Sequence, residues 1–352
     1  MLLQPTPDQE FFRETTDRYL TDRVPVDELR RLREDEAGFG DAYWRGGAEL
    51  GWTSPLVSEE HGGGTISGDG LVDLTLVAYE FGRHAAPGPL IATNVVAGAL
   101  NAAGTHTDLL ADLLSGAAIA SWCDTAVEIR QDGDNVVITG GARPVESAVQ
   151  ASHFLVSDGM KQAIVPAHAA SVASMQTVDL TKRFGVVTFD GVRLPADAVV
   201  GEGRHDLARQ TAIVLACAEA VGAMQAGFDM TVAWAFDRYS FGRPLASYQE
   251  LKHRFADMKT WLEASHAIAD GAAQAVSAGT PDAPELASVA KAYIGQHGSE
   301  LLQDCIQMHG GIGVTFDHDI HLFLRRHTVN RALYGTPAEH RQLLAAFAEA
   351  AA

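Results

Sequence analysis

Cysteine is scarce in this chain, with only Cys123, Cys217 and Cys305 among 352 residues. Their spacing offers neither a CxxC pair nor a metal-ligand set. That excludes a disulfide framework and a zinc module, and the three read as reduced core thiols. Basic residues are also in short supply, 26 Lys and Arg against 45 Asp and Glu, for a net charge of −19. So acidic a chain is a poor nucleic-acid binder, and any anionic ligand must find a local basic site. No HExxH pattern occurs, and His309, His318, His321 and His327 lack ligand spacing, so no metal is expected. Met1 to Glu10 contains no basic and apolar leader, and no apolar run reads as long enough to cross a bilayer. The expectation is a soluble, cytoplasmic protein.

What the chain does have is apolar mass. Hydrophobic residues make up 47% and charged ones 20%, a globular balance, and the length suggests two or three domains. Helical periodicity dominates from residue 8 to about 118. Asp8 reads as a helix cap ahead of Phe11, Phe12 and Leu20. Further helices are expected over Tyr43 to Leu50, Asp69 to Phe81, Ile91 to Ala103 and Asp108 to Ser115, with a loop from Gly51 to Gly64. Six short runs rich in Val and Ile follow, Ala118 to Cys123, Val127 to Gln131, Asn135 to Thr139, Phe154 to Asp158, Gln162 to Pro166 and Phe184 to Val192. They predict a small antiparallel sheet domain. Helices then return over Asp206 to Asp237, Gln249 to Ala278, Pro284 to Met308, Asp319 to Leu333 and Pro337 to Ala351. Two or three of about thirty residues imply a bundle packed along its length. The expected fold class is α+β, with a helical domain at 1–117, a sheet domain at 118–203 and a helical bundle at 204–352.

Within the bundle, Arg238 to Met258 stands out. It reads as a helix end, a tight Phe241-Gly242-Arg243-Pro244 turn, and a new helix from about Ala246. Gly242 can adopt positive φ and Pro244 suits re-entry into a helix. Leu251, Phe255, Met258 and Leu262 form an apolar stripe on the new helix. Arg238, Gln249, Lys252 and His253 are left as donors around the turn, a grouping suited to phosphate. An ordinary helical hairpin explains the same spacing.

Several stretches, in order, resemble the acyl-CoA dehydrogenase family. They are Gly51-Trp52 with Glu59-Glu60-His61-Gly62-Gly63-Gly64, then Glu80-Phe81-Gly82-Arg83, then Arg238 to Gln249, then Gln307 to Gly313. The resemblance implies FAD as cofactor, bound between the sheet domain of one subunit and the bundle of its neighbour. It implies Arg238, Ser240, Phe241 and Gln249 as contacts to the ADP half, with Gln307, Gly310 and Gly311 as their counterparts. A guanidinium matches pyrophosphate geometry, and glycines admit a nucleotide closely. An acyl-CoA thioester as substrate and an electron-transfer acceptor are implied too.

The chain departs from that family where chemistry is done. The family's catalytic glutamate precedes a Gly-Thr pair, and here Tyr334 precedes Gly335-Thr336. A phenol of pKa near ~10 is a poor base at neutral pH. The alternative position on the preceding long helix falls near Ala212 to Ile213, and Glu219 is nearly two turns away. Ser121-Trp122-Cys123-Asp124-Thr125-Ala126 lacks the family's Gly-rich loop. Arg143-Pro144-Val145-Glu146-Ser147 stands where a Trp-x-Thr/Ser step meets the flavin ring. The expected function is therefore a base-lacking subunit of a heteromeric acyl-CoA dehydrogenase. It would lend a nucleotide half-site to a paralogous partner, and it resembles the steroid-type actinobacterial branch. The competing readings are a self-sufficient homo-oligomeric flavoenzyme of different chemistry and a non-catalytic scaffold or CoA-ester-binding protein.

Overall fold

The computed structural model describes residues 4–33, 35–124 and 127–350. The N-terminal part holds α1 (Pro7–Arg23), α2 (Val26–Leu32), α3 (Asp41–Glu49), α4 (Gly70–Arg83), α5 (Leu90–Ala103) and α6 (Thr107–Leu114). The cap of α1 is Thr6, not Asp8. The Thr6 hydroxyl accepts from the Gln9 N–H while the Gln9 side chain accepts from the Thr6 N–H, a reciprocal capping box. Asp8 sits instead in the first turn, beside the positive helix end. Phe12 and Leu20 are core residues, but Phe11 is exposed. Helix α2 was not foreseen, because Pro25 reads as a break although it directly precedes the helix.

The sheet region holds β1 (Ala120–Trp122), β2 (Glu128–Asp132), β3 (Asn135–Glu146), β4 (His153–Ser157), β5 (Lys161–Pro166), β6 (Ser171–Met175), β7 (Phe184–Pro195) and β8 (Val199–Glu202). They form two four-stranded sheets, ordered β1-β4-β5-β8 and β2-β3-β7-β6. The expectation of wholly antiparallel pairing is corrected at β1, which runs parallel to β4. Strand β3 also continues past Thr139 through two register shifts, so Arg143 to Glu146 belongs to the sheet rather than to a loop. Thr125 and Ala126, expected to lead into β2, lie outside the described residues. Phe154, Phe189, Ile138 and Val165 pack into this region's own core.

The C-terminal part holds α7 (His205–Asp237), a short hairpin of β9 (Tyr239–Ser240) and β10 (Arg243–Pro244), then α8 (Gln249–Ala278), α9 (Ala283–His309), α10 (Ile320–Ala332) and α11 (Pro337–Ala350). Helix α7 corrects the reading that no apolar run could span a bilayer: by length and composition it could. However, 83% of its most apolar window is buried inside the protein, as for the central helix of a bundle. Its packing against α4 is close. A Cβ at Gly82 would fall 1.8 Å from the Glu219 carbonyl oxygen, and one at Gly222 would fall 1.9 Å from that of Tyr79. The Gly82 of the Glu-Phe-Gly-Arg stretch is thus needed for two backbones to touch. On α8, Met258 and Leu262 are fully buried, whereas Leu251 and Phe255 are half-buried.

Candidate functional site

At the end of α7 the chain reverses through the hairpin, with Phe241 at φ +50° and Gly242 at φ +81°. The Leu245 N–H donates to the Arg238 carbonyl (2.8 Å), and the Tyr248 hydroxyl donates to that of Ser240 (2.7 Å). These bonds fix the loop, and α8 begins at Gln249 after a single 3₁₀ turn over Leu245–Ser247, slightly later than expected. Because α9 runs back along α8, its C-terminus returns to the same end of the bundle. There Trp234 stacks on His309 with centroids 5.2 Å apart, and the Arg238 guanidinium lies 5.9 Å from the centre of the Trp234 ring. An aromatic bridge therefore connects the Arg238 turn to the Gln307 to Gly311 turn.

Arg238, Gln249, Gln307, Gly310 and Gly311 are exposed and Ser240 is half-buried. Phe241 is 98% exposed, so it contributes nothing to this chain's core. Gly310 has φ +67°, and a Cβ placed on Gly310 or Gly311 would meet nothing within 4 Å. The two turns thus present a guanidinium, two amides and an uncovered glycine backbone, a donor set that fits the ADP half of FAD.

The other half of a flavin finds a different surface. Tyr334, at φ +59°, is buried with its ring stacked on Trp122, centroids 5.5 Å apart. Burial, together with the carboxylates of Glu146, Asp124 and Glu219, holds the Tyr334 phenol well above its ordinary pKa. It therefore stays protonated and cannot abstract a proton at neutral pH. Tyr334 lines a cavity of about 560 Å³ with Asp124, Arg143, Pro144, Arg209 and His340. Two carboxylates line it among the described residues. Asp124, its pKa raised by burial, is held by Arg209 at 3.2 Å; Glu339 accepts from the Thr336 N–H at 2.7 Å. Neither is a free base.

Behind this wall lies a buried charge network that sequence reasoning missed. Lys182 Nζ sits 2.8 Å from Glu146 and 3.0 Å from Glu219, all three buried. Arg326 donates to Glu219 (2.5 Å), Asp179 (2.6 Å), the Thr181 hydroxyl (2.6 Å) and the Ala86 carbonyl (2.9 Å). Asn330 donates to Glu219 as well, at 3.2 Å. Despite the burial penalty, these anions raise the Arg326 pKa and keep it cationic. Glu146, by contrast, has Lys182 as its one close donor among the described residues, and burial drives its pKa up. Glu146 and Glu219 are thus consumed in structural pairs. This surface presents a proline, a stacked Trp–Tyr pair and, behind them, a buried ion network.

His309 and His318 lie with ring centroids 4.2 Å apart and planes tilted by 55°, and His327 donates to the Gly295 carbonyl at 3.3 Å. Burial lowers the pKa of all three, so they are neutral at pH 7. The trio of metal-capable side chains found among the described residues is elsewhere, Asp17, Glu80 and His84. Arg83 and Arg13 already lie 3.4 and 3.5 Å from Glu80 and compete with any cation there.

Helical domain, two-sheet domain and long-helix bundle, with a basic turn at the bundle's end, define an oxidoreductase of the acyl-CoA dehydrogenase class. Residues 6–116 match the family model for the acyl-CoA dehydrogenase N-terminal domain, and residues 212–348 match that for the C-terminal domain. The chain belongs to the acyl-CoA dehydrogenase family. It is 29% identical over 340 residues to the acyl-CoA dehydrogenase IpdE2 of Mycolicibacterium smegmatis, covering 96% of this chain and 98% of that protein. Among solved structures it is similar to a variant of the Tcur3481-Tcur3483 steroid ACAD, with TM-score 0.89, 26% identity and coverage of 97% and 98%. The ChsE4-ChsE5 complex from Mycobacterium tuberculosis shares the fold at TM-score 0.89, 22% identity and 98% coverage of each chain. So does a glutaryl-CoA dehydrogenase from Mycobacterium smegmatis in complex with FADH2, at TM-score 0.84, 18% identity and coverage of 97% and 94%.

Proposed function

We propose that this chain is the base-lacking subunit of a heteromeric acyl-CoA dehydrogenase, lending one wall to an FAD held mainly by a paralogous partner. The observation that carries the proposal is the Trp122–Tyr334 stack at the position of the family's base, with each nearby carboxylate already engaged. In this reading Arg238 pairs with the pyrophosphate, and Gln249 and Gln307 donate to the ADP half. Ser240 and Phe241 border it, and Gly310 and Gly311 leave room for it. The flavin, when bound, supplies the hydride acceptor for α,β-dehydrogenation of an acyl-CoA; the proton acceptor comes from the partner. Exposed Phe241, Tyr239 and Val314 at this end suit burial against a second subunit. The likeness to a steroid ACAD and to a two-protein complex supports a paralogous partner and a steroid-type thioester. Cytoplasmic placement, an electron-transfer acceptor and domain limits at 117 and 203 complete the proposal.

The test is flavin content. The chain is purified alone and again after co-expression with a neighbouring acyl-CoA dehydrogenase-like gene, and flavin absorbance is measured per chain. The proposal expects flavin in the co-expressed assembly and little in the lone chain. A lone chain carrying a full flavin complement would favour the homo-oligomeric reading, and no flavin in either preparation would favour the scaffold.

A further inference from the structure

The contact of α1 with α4 holds a cluster of ionisable groups that neither the flavin surface nor the Lys182 network uses. Arg13 and Asp17 project from α1; Glu80 and Arg83 end α4, and His84 follows it. Spacings of three and four residues put each set on one helix face. Asp17, Glu80 and His84 bring oxygen and nitrogen atoms within 4.8 Å of one another.

Glu80 is fully buried, yet its neighbours are arranged as for an uncharged acid. Among the described residues its shortest contact with a cation is 3.4 Å, to Arg83, and Arg13 lies 3.5 Å away. Its Oε1 is sealed from solvent and accepts no hydrogen bond within the protein. Glu219, by contrast, collects Arg326 at 2.5 Å, Lys182 at 3.0 Å and Asn330 at 3.2 Å. A buried carboxyl without close donors favours its protonated form. An acceptor for that proton is at hand: Asp17, fixed by the His84 imidazole, which donates to it at 2.8 Å. Burial pushes the Glu80 pKa up to about 7, with Arg83 and Arg13 opposing and Asp17 assisting. Burial works against the Asp17 carboxylate, but His84 and Arg83 outweigh it and hold its pKa below the ordinary value. Two neighbouring carboxyls driven apart in this way share one proton. His84 is kept neutral by burial, and so is the Tyr79 phenol; Asp229 of α7 acts on Arg83 from the other side.

Helix α1 is tied to more than this cluster. Buried Gln9, in its first turn, donates to Asp73 at 2.8 Å. Asp73 also accepts from the Ile66 N–H (2.7 Å), the Ser67 N–H (2.9 Å) and the Ser67 hydroxyl (2.8 Å). The loop ahead of α4 therefore shares a carboxylate with α1, and Thr65 and Gly70 at its ends line a cavity of about 450 Å³.

We propose that α1 is a proton-dependent latch. One proton shared by Glu80 and Asp17 keeps α1 seated on α4, and its loss loosens α1 and, through Gln9 and Asp73, the 65–69 loop beside that cavity. The latch goes beyond the flavin reading and does not depend on it. An acid whose folded pKa exceeds its unfolded value contributes fully below the unfolded value, about 4.3, and loses that contribution as pH climbs through the folded one. With Glu80 at about 7 in the fold, seating of α1 weakens about tenfold between pH 6 and pH 8 and levels off above.

Hydrogen exchange of the full chain, read by mass spectrometry and corrected for the intrinsic pH dependence of amide exchange, tests this, with amides of α9 as the internal reference. Protection over 7–23 and 65–69 should fall about tenfold relative to α9 between pH 6 and pH 8. Glu80→Gln, which keeps a neutral head group of the same shape, should stay protected at both. Arg13→Met, at a partly exposed position where folding is not at stake, should enlarge the fall and carry it to higher pH, because Arg13 opposes the proton on Glu80. Equal wild-type protection at pH 6 and pH 8 overturns the proposal. So does a Glu80→Gln protein that loosens as the wild type does, or an Arg13→Met profile identical to wild type. Loosening of α1 with 65–69 still protected overturns the coupling to the loop.

Discussion

Lys182→Met separates a structural carboxylate from a working one. Lys182 and Glu146 are fully buried at 2.8 Å, and Glu146 has no other close donor among the described residues, whereas Glu219 keeps Arg326 and Asn330. Removing one partner of a buried pair, with the other left charged, costs about 3–5 kcal/mol. The cost should depend on pH. Burial already raises the Glu146 pKa, with Lys182 opposing that shift, so losing Lys182 raises it further. A carboxyl whose folded pKa exceeds its unfolded value keeps its contribution below the unfolded value, about 4.3, and loses it as pH climbs through the folded one. The deficit should therefore be largest near pH 8 and shrink toward pH 5, as Glu146 takes up a proton. Urea denaturation followed by tryptophan fluorescence at several pH values measures this. Lys182→Met combined with Glu146→Leu should recover most of the loss. An equal deficit at all pH values, or no recovery in the double variant, refutes the assignment of Glu146 as a dependent half of that pair.

Three further outcomes follow from the same geometry. Arg238→Ala should lower the flavin content of the assembly without lowering the unfolding midpoint, since Arg238 is exposed; unchanged occupancy removes it from the site. Tyr334→Phe should leave acyl-CoA turnover of the assembly nearly unchanged, because the raised phenol pKa keeps its proton in place; a collapse in rate would make Tyr334 a catalytic group. Gly82→Ala should destabilise the fold by at least the ~1–3 kcal/mol typical of overpacking, because its Cβ would fall 1.8 Å from the Glu219 carbonyl oxygen; an unchanged urea midpoint would contradict that close approach.

The bundle was legible in the sequence because α8 and α9 repeat an apolar face over many turns and α7 is apolar nearly all round, and the errors there are a residue or two at the ends. The sheets were less so. Strand β6 has exposed or half-buried positions throughout and is built of Ser, Val, Ala and Met, so no alternation marks it. The second half of β3 contains Gly140, Gly141 and Pro144, which read as breaks until the register shifts absorb them. The Arg238 turn was readable from Gly242 and Pro244, and its partner stretch from Gly310 and Gly311. The Trp234–His309 stack that joins them was not, since ring contacts between helices leave no spacing signal. The ion network was hidden for the same reason. Glu146, Asp179, Lys182, Glu219 and Arg326 come from distant segments, and each reads alone as an ordinary surface charge. One signal was available: Glu219 lies within an otherwise apolar helical stretch, where an ionised side chain must have a buried partner.

The central claim is that this chain offers a binding wall and no proton acceptor. Acyl-CoA-dependent dye reduction by the purified lone chain, supplied with excess FAD, tests it most directly. The account predicts no turnover above background from the lone chain and robust turnover once the paralogous partner is co-expressed. Full activity from the lone chain would contradict it.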